Sequence, residues 1–182
     1  MAFPGEPATA RERAIVAQQL GRDPRGDIAV AARCTYGLPA VIRTSPELDS
    51  GEPFPTLFYL TCPIAVRALG GVEASGKMRE YEKQLGDDDG LRADYERAHR
   101  RYVEMRDSIA ALGRDESAGG MPVRVKCLHA LYAHEVADAN PIGALVRDEI
   151  EPLGCPGDCV SEGSDGTVAR VPGHPGFSKR RR

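Results

Sequence analysis

Apolar residues recur at spacings of 4, 3, 4, 3 and 4 through Leu91, Tyr95, Ala98, Tyr102, Met105 and Ile109, the seam of a helix over residues 89–111 that buries one face. The acidic run Asp87-Asp88-Asp89 is placed to begin it, because negative charge favours a helix N-terminus. A second set, Ile64, Val66, Leu69 and Val72, predicts a helix over 63–74 opened by Pro63, which has no N–H to lose at a first helical position. Thr9 and Glu12 fit a capping box at the head of a helix ending near Leu20. Shorter helices are expected over 76–85 and from Asn140-Pro141 to about Glu151. Runs rich in β-branched and aromatic residues predict strands over 28–34, 40–44 and 56–61. The expected fold is α+β, a small antiparallel sheet of about three strands packed under five or six helices. From Pro152 the composition shifts to Gly, Pro, Ser, Asp and Arg, so the reading is one domain over 1–159 and a disordered polar, basic tail over 160–182.

Between these elements lies the stretch with the densest chemistry, Gly119 to His134. The Gly-Gly pair followed by Met121-Pro122 predicts a helix over 122–137. At about 100° per residue, Val125, Leu128, Tyr132 and Val136 form its core stripe. Arg124, Cys127, Leu131 and His134 form the neighbouring stripe, with thiol and imidazole projecting the same way. On a regular helix His129 points about 160° from that stripe, and so reads as a pocket base or a packing residue rather than as a ligand beside Cys127. Arg124 and Lys126 at the helix start suit a phosphate or carboxylate; the same pattern also describes a helix start with solvated charges.

A chain of 182 residues, 41% hydrophobic, is long enough for one domain with its own core. The formal net charge of -3 makes nucleic acid an unlikely partner, since that role needs a clustered positive field. No run is long or apolar enough for a membrane span, and Met1 to Pro7 has no leader pattern, so the expectation is a cytoplasmic protein with reduced thiols. The five cysteines then read as metal ligands, as redox groups or as small buried hydrophobes. Convergence of Cys34, Cys62 and Cys127 with His134, Cys155 or Cys159 would build a sulfur-rich shell for zinc or an iron–sulfur cluster. Cys62, at a strand-to-helix junction, is also the candidate for thiol redox chemistry. His99 and Arg106, on one flank of the long helix with Tyr95 and Tyr102, join His129 as catalytic candidates lining a pocket. Lys179-Arg180-Arg181-Arg182 reads as a solubilising end or a contact for an acidic partner.

The expected function is metal binding, with an anionic small molecule held by Arg124 and Lys126. In an enzyme the metal would polarise a substrate oxygen or activate water, with His129 relaying protons. The alternatives are a protein-interaction module with a purely structural metal, and a thiol redox protein; the sequence names no protein partner.

Several multi-residue motifs are familiar together: Arg33-Cys34, Gly51 to Leu57, Tyr59-Leu60-Thr61-Cys62-Pro63, Ala98-His99, Gly119-Gly120-Met121-Pro122, and Arg124 to His129 with His134. Over about residues 9–151 the chain resembles the actinobacterial family catalogued as domain of unknown function 501. The resemblance implies no activity. Members of that family often carry a second cysteine where this chain has Tyr36.

Overall fold

The computed structural model describes residues 6–47 and 50–178. The leader reading at residues 1–5 and the basic run Lys179 to Arg182 lie outside the described residues.

Four antiparallel strands form the main sheet in the order β1 (Glu6–Pro7), β2 (Ile28–Arg33), β3 (Pro39–Thr44) and β4 (Phe58–Leu60). The three expected strands are its body, and a two-residue edge strand is added beside β2. Side chains alternate through the sheet. Val41 and its partner Leu60 enter the main core, whereas Ile42 faces the helix α1 (Ala10–Leu20) through Val16. Both faces are therefore covered. On the main-core side lie α2 (Pro63–Ala74), α4 (Asp89–Asp107), α5 (Leu128–Ala137) and α6 (Pro141–Ile150), with α3 (Lys77–Asp87) against α4. The α+β class is as expected, with six α-helices among the described residues.

The capping box forms at the head of α1: Thr9 N–H donates to Glu12 Oε2 at 2.7 Å, and the Thr9 hydroxyl oxygen accepts from Glu12 N–H at 3.2 Å. The long seam is buried where expected, with Tyr95, Ala98 and Tyr102 sealed from solvent. Helices α5 and α6 meet at Gly143, where an added Cβ would lie 2.3 Å from the Leu131 carbonyl oxygen. Among the described residues no helix is long and apolar enough to cross a membrane.

Two expectations are corrected. The central helix does not begin at Pro122 but at Leu128. Gly119 and Gly120 take positive φ values of 70° and 94°, and Lys126 N–H closes back on the Gly119 carbonyl at 2.7 Å, so residues 119–123 turn, 124–126 are irregular and Cys127 is extended. The segment past residue 160 is also not a disordered tail. Val160–Glu162 (β5) and Val168–Arg170 (β6) pair antiparallel, and Pro175–Phe177 forms a short 3-10 helix. Docking, rather than a large apolar set of its own, holds this segment. Cys159 and Val160 pack with Ile15 and Leu38, Arg170 donates to the Gln18 carbonyl at 2.6 Å, and Arg67 donates to the carbonyls of Pro175 and Ser178.

Candidate functional site

The later start of α5 rearranges the chemistry expected of it. Cys127 occupies the position before the first turn of α5, and His129 lies in that turn instead of on a remote face. Glu73, in the last turn of α2, comes to meet them: the ligand atoms of Glu73, Cys127 and His129 all lie within 4.8 Å of one another. Glu73 Oε1 accepts the Leu128 N–H at 2.8 Å, so the anion at this helix start is the protein's own carboxylate. A charge-assisted bond of this kind contributes about 1.5–3 kcal/mol.

The ring of His129 is held from both ends. Nε2 lies 3.2 Å from the Val66 carbonyl oxygen, an acceptor only, which assigns the hydrogen to Nε2. Nδ1 lies 3.1 Å from Glu73 Oε1. Three electron-pair donors thus turn toward one small space, where a proton held by the ring or the thiol, or a metal ion, relieves their repulsion. With a proton there, the Cys127 sulfur and then Glu73 push the His129 ring up to about 9, against the opposing effect of burial. In turn the ring holds the Cys127 thiol below its ordinary range, assisted by the Ala130 N–H. Cys127 and His129 open on a cavity of about 510 Å³ lined also by Phe58, Leu60, Phe177, Thr56 and Tyr59.

The other expected ligands separate from Cys127. Cys34, at the end of β2, and Cys62, at the start of α2, line a different cavity of about 480 Å³, together with Cys155, Cys159 and His174. The expected convergence of Cys34, Cys62 and Cys127 is therefore replaced by two groups of residues. His134 joins neither. It is fully buried, stacked on Phe58 at 5.7 Å and edge-on to Tyr102 at 5.0 Å, with Nδ1 3.2 Å from the Asn140 amide nitrogen. Burial lowers its proton affinity, and the neutral ring acts as core packing.

Arg106 is also fully buried, its guanidinium donating to the carbonyls of Arg114 and Glu116 and to Asp107 Oδ1 at 2.8 Å. It clamps the loop after α4 and faces no open cavity among those near the trio. His99 Nδ1 lies 2.9 Å from Ser117 Oγ, on a shallow groove shared with Pro122 and Glu104. Arg124 is exposed and pairs with Glu82 at 3.3 Å, and Lys126 is exposed on the same turn. With no helix beginning at Pro122, the expected anion pocket between them is not assembled. Glu73 and His174 went unread in the sequence. A lone glutamate near a helix end carries no spacing signal, and His174 lay in the segment read as disordered, whereas Cys159 was among the expected ligands.

The family model described as "Protein of unknown function (DUF501)" matches residues 30–148. No curated protein and no solved structure matches the chain.

Proposed function

The chain belongs to that family of unknown function, so its own geometry carries the reading, and we propose that it binds one divalent metal ion of the zinc class through Glu73, Cys127 and His129. The observation that carries this reading is the convergence of a carboxylate, a thiol and an imidazole within 4.8 Å beside a cavity. Thiolate, imidazole and carboxylate are all zinc ligands, and three protein ligands with a fourth position left open is the pattern of catalytic zinc. Support around the trio fits that role: His129 would ligate through Nδ1 while Nε2–H stays on the Val66 carbonyl, and Glu73 is oriented by the Leu128 N–H. An ion in that place would polarise a substrate oxygen or acidify bound water. The apolar walls of the cavity favour a small substrate with one polar end.

Elemental analysis and native mass spectrometry of the purified chain test the reading. About one zinc per chain is expected, with Glu73→Gln, Cys127→Ser and His129→Gln each losing it. Wild-type zinc content in all three variants would overturn the proposal. A second reading, Cys127 as a nucleophile with His129 as its proton partner, is favoured by the depressed thiol at a helix start. If added zinc leaves alkylation of Cys127 unchanged in chelator-stripped protein, that reading stands in place of the metal.

A further inference from the structure

The second cavity carries chemistry that the trio does not use. Cys34 sits on the tight turn after β2, where its N–H donates to the Leu38 carbonyl at 2.9 Å and its carbonyl accepts the Gly37 N–H. Cys62 leads from β4 into α2, and Cys155 and Cys159 arrive from the segment after α6. Three separate parts of the chain thus bring four thiols to the wall of one cavity of about 480 Å³.

Spacing distinguishes what such a wall could hold. Four sulfurs at about 2.3 Å around one tetrahedral zinc stand about 3.8 Å apart. Among the described residues, no three of these thiols lie within 4.8 Å of one another, the separation that Glu73, Cys127 and His129 satisfy. As arranged, they do not close on one ion. A polynuclear cluster, with irons between the cysteine sulfurs, holds them farther apart and fills the space between.

The sulfurs have polar neighbours, the Cys155 thiol itself donating to the Gly157 carbonyl at 3.3 Å. The backbone N–H groups of Ile64 and Ala65 face the Cys62 sulfur. Gln19 Nε2 donates to Cys159 Sγ at 3.5 Å, and His174 Nε2 lies 3.8 Å from Cys155 Sγ. Hydrogen bonds to sulfur are one means by which a protein sets the potential of such a centre. Gln19 is itself 7% exposed and lines the cavity, and its Oε1 has no hydrogen-bond partner. The hairpin and 3-10 helix that follow Cys159 and His174 bury few apolar side chains of their own, so a group bridging Cys155 and Cys159 to Cys34 and Cys62 would add a link that their packing does not supply.

We infer that Cys34, Cys62, Cys155 and Cys159 ligate an iron–sulfur cluster in this cavity, with His174 donating to the Cys155 sulfur. The centre is distinct from the trio at the start of α5, though the two cavities share Gln19, Leu60 and Pro63 in their walls. Two of its four ligands lie beyond the residues that the family model matches.

Purification of the full chain without oxygen, followed by reconstitution with ferric iron, sulfide and a dithiol, tests the inference. Iron and acid-labile sulfide in equal amounts are expected, with a broad visible absorption bleached by dithionite. Cys34→Ser and Cys159→Ser should each reduce iron and sulfide several-fold. Cys34, half-buried on a turn, is the variant expected to fold, and circular dichroism checks that it does. Cys127→Ser and Glu73→Gln should keep the cluster while losing zinc, so failure at one centre is not mistaken for failure at the other. Zinc bound by the four thiols without sulfide, a folded wild type that takes up no cluster, or iron content unaffected by Cys34→Ser and Cys159→Ser would overturn it.

Discussion

Cys62 and Cys127 occupy the same local position, each immediately before the first turn of a helix and each without a side-chain capping bond. Backbone N–H groups reach both sulfurs, from Ile64 and Ala65 in one case and from Ala130 in the other. Their thiols nonetheless shift in opposite directions. Cys62 is 8% exposed, and burial pushes its thiol up. Cys127 is less enclosed, and the His129 ring pulls its thiol down. A helix start contributes about 0.3–1 kcal/mol, less than the 1.36 kcal/mol of one pKa unit. Desolvation or one charged neighbour therefore outweighs it, and a cysteine at a helix start is reactive only if its other neighbours agree.

The widest expected contrast is in alkylation. In chelator-stripped protein at neutral pH, Cys127 should label about 100-fold faster than Cys62, read by peptide mapping after timed iodoacetamide. Comparable rates would break the contrast. The pH profile gives the sign: a depressed thiol stays ionised as pH falls through the ordinary thiol range, so labelling of Cys127 should decline only below it, whereas labelling of Cys62 should begin only above it. His129→Gln should raise the Cys127 midpoint and slow its labelling at neutral pH, leaving Cys62 unchanged.

Smaller effects sharpen the comparison from the Cys62 side. At Gly176 an added Cβ would lie 2.8 Å from Pro63 Cβ and 3.0 Å from Ile64 N, against the first turn of α2. Gly176→Ala should cost about 1–3 kcal/mol in denaturant titration and, by shifting the 3-10 helix, increase labelling of both Cys62 and Cys127. Least affected should be Lys126→Ala, within about 0.5 kcal/mol of wild type and with unchanged zinc, since the lysine is exposed beside the trio without belonging to it.

What the sequence made legible follows from the range of the interactions involved. The capping box at Thr9, the start of α2 at Pro63 and the seam from Leu91 through Tyr102 are set by neighbours three or four residues apart, and all three formed as expected. At Gly119 and Gly120 the local signal misled. Two left-handed glycines before a proline can open a helix or a turn, and the carbonyl of Gly119 closing on Lys126 made it a turn, moving the helix start to Leu128. That shift undid the stripe joining Cys127 to His134 and brought His129 beside the thiol. Glu73 reaches the trio only because α2 packs on α5, a long-range contact that no spacing along the chain encodes. Convergence of thiols was readable as a tendency, but which ones met was not, because Cys159 and His174 depend on the docking of a hairpin through Arg170 and Arg67.

That docking governs how the protein can be divided for study. A fragment trimmed to residues 30–148 would lack α1 and the β5–β6 hairpin, stripping Val16 from Ile42 and removing Cys155, Cys159 and His174. The uncovered sheet face would invite aggregation, and the recovered polypeptide would report on half a thiol cavity. Expression boundaries should therefore run from before Glu6 to beyond Ser178, with any affinity handle placed outside both.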